Sequence, residues 1–185
     1  AEKVGRGASG RNGGQVAQGQ RIGHDELEKK VGRQAADMLW DLSLDSVDLV
    51  KSLIKKHNIQ CDLKSGVLDV AAKASHMDGM KEEYEYFTEV LKYDHVKYVE
   101  KDEVQNMLGT DKYYNGYVLT DAAHLHPLNY AMGLADAAKK AGANIYENSR
   151  VTSYSGGNGA EVTTEKGVVK AKYILMACNG YLENL

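Results

Sequence analysis

Cysteine occurs twice in the 185 residues, and proline, phenylalanine and tryptophan once each. Cys61 and Cys178 lie far apart, which excludes a disulfide framework and fits a reducing, cytoplasmic setting. No apolar run approaches the length of a membrane span, and residues 1–20 hold no hydrophobic signal core. A strong charge of either sign is also missing. The net charge is −3, so nothing electrostatic calls for nucleic acid or an anionic membrane as partner.

What is present suits an ordinary globular core: 43% hydrophobic and 26% charged residues, enough for one good-sized domain or two small ones. The 12 tyrosines have no functional reading. Seven of the 19 glycines precede residue 24, so the N-terminus reads as loop. From Asp25 a helical stripe begins with Leu27, Val31, Ala35, Met38, Leu39 and Leu42, and Val47, Val50, Leu53 and Ile54 carry it to His57. A kink is expected at Ser43 to Ser46, where Ser and Asp compete for backbone hydrogen bonds.

Residues 66–72 read as a strand behind the turn Lys64-Ser65-Gly66. Met77, Met80, Tyr84, Phe87 and Leu91 form a second helical stripe, expected to be core. Residues 93–100 suit a short strand and 101–108 a short helix. The eight acids and four bases of 81–103 suit a solvated face. Residues 113–119 read as a strand broken at Asn115-Gly116, and Pro127 opens a helix to Lys140 with Gly142 beyond it. Strands are expected at 144–147, 151–154, 160–164, 168–171 and 173–177, with turns at 156–159 and 166–167. The pattern is mixed α/β, or α+β, ending in a β-meander.

Gly5-Arg6-Gly7-Ala8-Ser9-Gly10 satisfies G-x-G-x-x-G. A dinucleotide fingerprint needs a buried strand before it and a helix after it. Ala1 to Val4 are too few and too polar for that strand, and Arg11-Asn12-Gly13-Gly14-Gln15 is a poor first helical turn. The literal match is read as chance. The stretch nonetheless suits an anion: Ser9 can cap a helix, small residues expose N–H groups, and Arg11 and Asn12 add donors.

"VGRGASGRNGGQ" (4–15) resembles a segment of the FAD-dependent oxidoreductases of the D-amino-acid-oxidase and glycine-oxidase superfamily. "HNIQCDLKSGVLDVA" (57–71), "YYNGYVLTDAAHLHPLNYAMGLADAAKKAGANIYENSRVTSY" (113–154) and "AKYILMACNGY" (171–181) follow in that family's order and spacing, most like its gamma-glutamylputrescine oxidoreductase branch. The resemblance implies a partial FAD-binding Rossmann-like domain with an inserted substrate-domain segment. Residues 1–58 would be an FAD-domain loop and long helix, 59–126 part of the substrate domain, and 127–185 the FAD-domain helix and meander. In the family the true fingerprint lies about thirty residues upstream, one βαβ unit earlier. The chain is therefore expected to be an internal fragment lacking that unit and the C-terminal portion.

By the same resemblance, Ser9, Arg11, Asn12, Gly13, Gly14 and Gln15 line the FAD diphosphate and flavin ring, and the Val151 backbone meets adenine. Ala177, Asn179 and Gly180 belong to the turn that ends a strand against the cofactor. Cys178 stands there where threonine is common, which removes a hydroxyl. The implied activity is oxidation of a small amine or amino acid by hydride transfer to flavin. No catalytic residue is assigned, and His124 with His126 is too small a set for a metal. FAD belongs to the intact enzyme, and the fragment alone is expected to bind it weakly or not at all. Apolar surface on the 27–54 stripe makes self-association an expectation. A non-catalytic folded fragment and a flavin-free binding module remain open alternatives.

Overall fold

The computed structural model describes residues 2–157 and 159–181. The first strand, β1, is Gln15–Val16, and helices α1 (His24–Val31) and α2 (Arg33–His57) follow. Asp25 and Glu26 in the first turn of α1, and Lys29 and Lys30 in its last, complement the helix dipole. The expected kink at Ser43–Ser46 does not occur; α2 runs through it for 25 residues. The Ser43 hydroxyl donates to the Trp40 carbonyl and accepts from the Gly19 N–H, so its hydrogen bonding is spent without breaking the helix. The break lies instead at Gly32, whose φ of +83° costs little without a Cβ.

Strand β2 is Lys64–Val70, α3 is Met77–Glu85 continued by one π-turn over Tyr86–Val90, β3 is Val96–Val99 and α4 is Lys101–Leu108. The long strand β4, Gly116–His124, is the spine of the first sheet. Asn115-Gly116 therefore starts this strand rather than breaking one. β4 pairs antiparallel with β2 along one edge, and with β3 at Gly116–Leu119 and β1 at Ala123–His124 along the other. Helix α5, Pro127–Lys140, comes next, and β5 (Val151–Ser155), β6 (Ala160–Thr164) and β7 (Gly167–Ala171) form an antiparallel meander. Asn158, in the expected turn before β6, lies outside the described residues.

One core cluster packs Trp40 of α2 and Phe87 of the π-turn against Tyr93, Val96, Tyr117 and Leu119. The Met80, Tyr84, Phe87, Leu91 stripe is packed against it, as expected. Trp40 and Tyr93 meet edge to face at 5.5 Å. The abundant tyrosine gains a partial account here. Buried rings carry hydroxyls that find polar partners: Tyr93 donates to the Asp121 carboxylate, and Tyr98 accepts from the Asn115 amide. A second cluster joins Ile54, Ile59, Cys61 and Leu125 to Val16, Tyr130 and Leu134. At this junction α5 approaches so closely that a Cβ on Gly133 would be driven into Ile59.

Two expected strands, 144–147 and 173–177, are not formed. Both segments lack a hydrogen-bonded neighbour strand among the described residues, and a strand without a ladder is not stable. Their apolar side chains are correspondingly uncovered, with Tyr173 and Leu175 each 89% exposed.

Candidate functional site

The glycine-rich loop at 5–14 is shaped by steric necessity. Gly5 has φ +72°, and a Cβ there would stand 2.6 Å from the Leu128 side chain of α5. A Cβ on Gly10 would be driven into the Gly5 carbonyl, and one on Gly14 (φ +76°) into the Leu125 carbonyl. The loop thus folds on itself and lies against the start of α5. Between these glycines, Ala8–Gly10 makes a single 3₁₀ turn whose N-cap is Gly7, with no side-chain cap. Ser9 sits inside that turn, exposed, so the expected capping role is corrected: the cap position belongs to Gly7.

The fingerprint reading also fails as expected. Among the described residues a turn, not a strand, precedes Gly5, and no α-helix follows Gly10 before His24.

Asn12 is the brace of the loop. Its amide donates to the carbonyls of Ala8 (2.9 Å) and Ser9 (3.1 Å), and its oxygen accepts from the Gly14 N–H (2.8 Å). This internal use leaves the backbone N–H groups of Asn12 and Gly13 without a protein partner among the described residues. The exposed Arg11 guanidinium likewise has no carboxylate partner there, whereas Arg6 is paired with Glu2. Gln15 enters β1 opposite His124, which anchors the loop to the sheet. Two free amides and a free guanidinium on one surface turn are the donor set that an anion such as a diphosphate requires.

The other end of the chain reaches the same place. Asn179, with φ +51°, caps a tight turn in which its side chain accepts from the Gly180 N–H and Tyr181 bonds back to Cys178. The Tyr181 hydroxyl then accepts from the Ala8 N–H at 3.2 Å. Ala177, Asn179 and Gly180 are thereby brought to the loop's edge. Val151 stands apart, in β5 opposite Thr164. Its segment meets the root of the loop through Glu147, which accepts from the Val4 N–H, and Asn148, which donates to the Glu2 carbonyl. No sequence signal had singled out Tyr181, because its partner lies 173 residues away.

The histidines have distinct places. His126 caps α5, its Nδ1 accepting from the Asn129 N–H. No group of three or more His, Cys, Asp or Glu suited to a metal occurs among the described residues. His24 starts α1, as an element-end residue, but its side chain is only 5% exposed. One ring nitrogen lies 3.0 Å from the Tyr86 hydroxyl and the other 3.0 Å from Asp37. Arg33 grips Asp37 with two bonds of 2.8 Å and holds its carboxyl below the usual range. Burial pushes the Tyr86 phenol up. Such a chain of polar groups fixes ring orientations far from the loop, and no local spacing announces it.

A profile of the family described as "DAO: FAD dependent oxidoreductase" matches residues 1–185. The chain is 38% identical over 184 residues to "Probable oxidoreductase OrdL" of Haemophilus influenzae, covering 99% of this chain and 43% of that protein. It is 34% identical over 182 residues to the "Gamma-glutamylputrescine oxidoreductase" of Escherichia coli, covering 98% and 42%. Its fold resembles glycine oxidase from Geobacillus kaustophilus, with a TM-score of 0.69 at 19% identity over 92% of this chain and 45% of that one. An L-amino acid deaminase from Proteus myxofaciens shares the fold at a TM-score of 0.61 and 19% identity, over 88% and 35%. The chain thus spans less than half the length of each of these proteins. No described helix is long and apolar enough to cross a membrane.

Proposed function

Because the chain belongs to the DAO family of FAD-dependent oxidoreductases, we propose that the protein to which these residues belong oxidises a small amine or amino acid, with gamma-glutamylputrescine as the first substrate to try. The observation that carries this reading is the family match along the whole chain, on a loop whose free donors suit an anionic cofactor. A flavin held by these residues would supply two-electron acceptance for oxidation of the carbon beside the amine nitrogen.

The residues here bind and orient. Arg11 and the N–H groups of Asn12 and Gly13 would neutralise diphosphate oxygens, and Gly13, Gly14 and Gln15 would let backbone and amide approach the ring. Ser9 adds a hydroxyl, and Ala177, Asn179 and Gly180 a second, small-residue edge. Val151 would offer its backbone to adenine. The division into FAD-domain residues 1–58 and 127–185 around a substrate-domain segment 59–126 belongs to the same proposal. A cytoplasmic location is supported by two cysteines that form no disulfide.

The test is anaerobic. With flavin bound to the longer protein to which these residues belong, adding gamma-glutamylputrescine should bleach the flavin bands at a saturable rate, and Arg11→Ala in that protein should weaken flavin retention. Unchanged bands with every amine and amino acid tried would sink the reading.

A further inference from the structure

A cavity of about 680 Å³ opens between residues 18–24, α1, α2 and the π-turn that ends α3. One wall is a single stretch of chain, residues 20–31, which ends in the short helix α1. Glycines bound that stretch. Gly19 has φ +94° and Gly32 has φ +83°, and a Cβ on either would meet nothing within 4 Å. Both joints combine backbone freedom with open space, which is what the ends of a moving segment need.

Little holds the stretch down. Leu27 is the one buried residue of α1. The ion pairs Lys29–Asp25 and Lys30–Glu26 stay within α1, and Glu28 meets Arg33 only on the exposed surface, at 3.7 Å. Gln20 reaches outward, its amide donating to the Leu39 carbonyl at 3.1 Å. The principal fastening is the buried His24 ring, with one nitrogen 3.0 Å from the Tyr86 hydroxyl on the π-turn and the other 3.0 Å from Asp37 on α2. A segment with so few buried apolar contacts belongs to the low end of local stability. Its closed position also carries a cost. Gln18 lines the cavity beside the Gly19 joint, and its amide oxygen and nitrogen are both buried with no hydrogen-bond partner among the described residues. An amide in that state disfavours the conformation that buries it.

We propose that residues 20–31 are a flap hinged at Gly19 and Gly32 and latched by His24 to Tyr86 and Asp37, whose release opens the cavity and frees the Gln18 amide to solvent. Opening calls for neither flavin nor substrate, so it stands apart from the amine-oxidising reading.

Trp40 reports on the flap, because it is the one tryptophan of the chain, lines the cavity and is buried when the flap is closed. Quenching of its fluorescence by acrylamide should follow the open fraction. Tyr86→Phe keeps the ring and removes the hydroxyl, and should raise the quenching constant about fivefold, the loss of one hydrogen bond. His24→Ala should raise it further. Gln18→Leu should lower it, since the closed form then buries no unpaired amide. Tyr84→Phe, on the same helix with its ring against Tyr98, should leave it unchanged. Far-UV circular dichroism checks each variant for folding, and Tyr86→Phe carries the test if His24→Ala unfolds. No rise in Tyr86→Phe, an equal rise in Tyr84→Phe, or a rise in Gln18→Leu overturns the proposal.

Discussion

Adjacent glycines in the loop should respond very differently to the same methyl group. Gly14 is buried with φ +76°, and a Cβ there would be driven into the Leu125 backbone carbonyl, which cannot swing aside. Alanine in the left-handed region costs about 1–2 kcal/mol by itself. Relieving the clash parts the loop from Leu125, whose N–H donates to the Gly14 carbonyl at 2.9 Å. That bond is worth about 1 kcal/mol. Gly14→Ala should therefore destabilise the chain by roughly 3 kcal/mol, a fall in Tm of about 10 °C for a protein of this size. Gly13 is a different case. It is exposed, its φ is not positive, and the added Cβ meets only the flexible Gln15 side chain. Gly13→Ala should cost less than about 1 kcal/mol, or about 3 °C. Thermal melts followed by circular dichroism decide the matter. Equal Tm values for the two variants would refute the claim that the Leu125 carbonyl sets the requirement at Gly14.

Alkaline unfolding should start early. Burial, with Asp121 beside Tyr93 and Glu83 near Tyr117, pushes both phenols above their ordinary value. A raised folded-state pKa means that stability is intact below about pH 10 and falls as pH rises further, because the unfolded chain ionises first. The expected slope is up to about 1.4 kcal/mol per pH unit per tyrosine. Tyr117→Phe should flatten the denaturant-midpoint profile above that pH, and an unaltered slope would count against it. Cys61 is buried and its thiol is pushed up by burial, whereas Cys178 is half-buried. Ellman's reagent should thus label one thiol quickly, at Cys178, and the second only in denaturant. Added FAD should bind this chain weakly or not at all. Among the described residues no strand leads through a glycine-rich turn into an α-helix, the unit that grips a pyrophosphate. A tight, stoichiometric flavin complex would overturn that expectation.

From the residues alone only a stretch suited to an anion was legible, with Ser9, Arg11 and Asn12 as its donors; the roles of Gly13, Gly14 and Gln15 came from the family resemblance. Ser9 was misread because a capping residue cannot be told from a residue inside a 3₁₀ turn until the cap geometry is seen. Tyr181 and the His24–Tyr86 pair were invisible, because their partners are brought together only by the folded chain.

Elements with both ends marked by local chemistry were read correctly from letters alone. Pro127 and Gly142 bracket α5, and α4 stops at Gly109, whose φ of +65° suits a C-terminal cap. The meander followed from alternation and turn residues in the same way. Local signals act within a turn or two, so the sequence carries them whole. Tertiary structure decided the rest. It let α2 run unbroken past Ser43 by bringing the Gly19 N–H to that hydroxyl, and among the described residues it denied strands to 144–147 and 173–177 by offering them no ladder. It also closed the loop with a hydroxyl from Tyr181. Each outcome depends on a hydrogen-bond partner supplied, or not supplied, from elsewhere in the fold, and only the packed chain determines which groups meet.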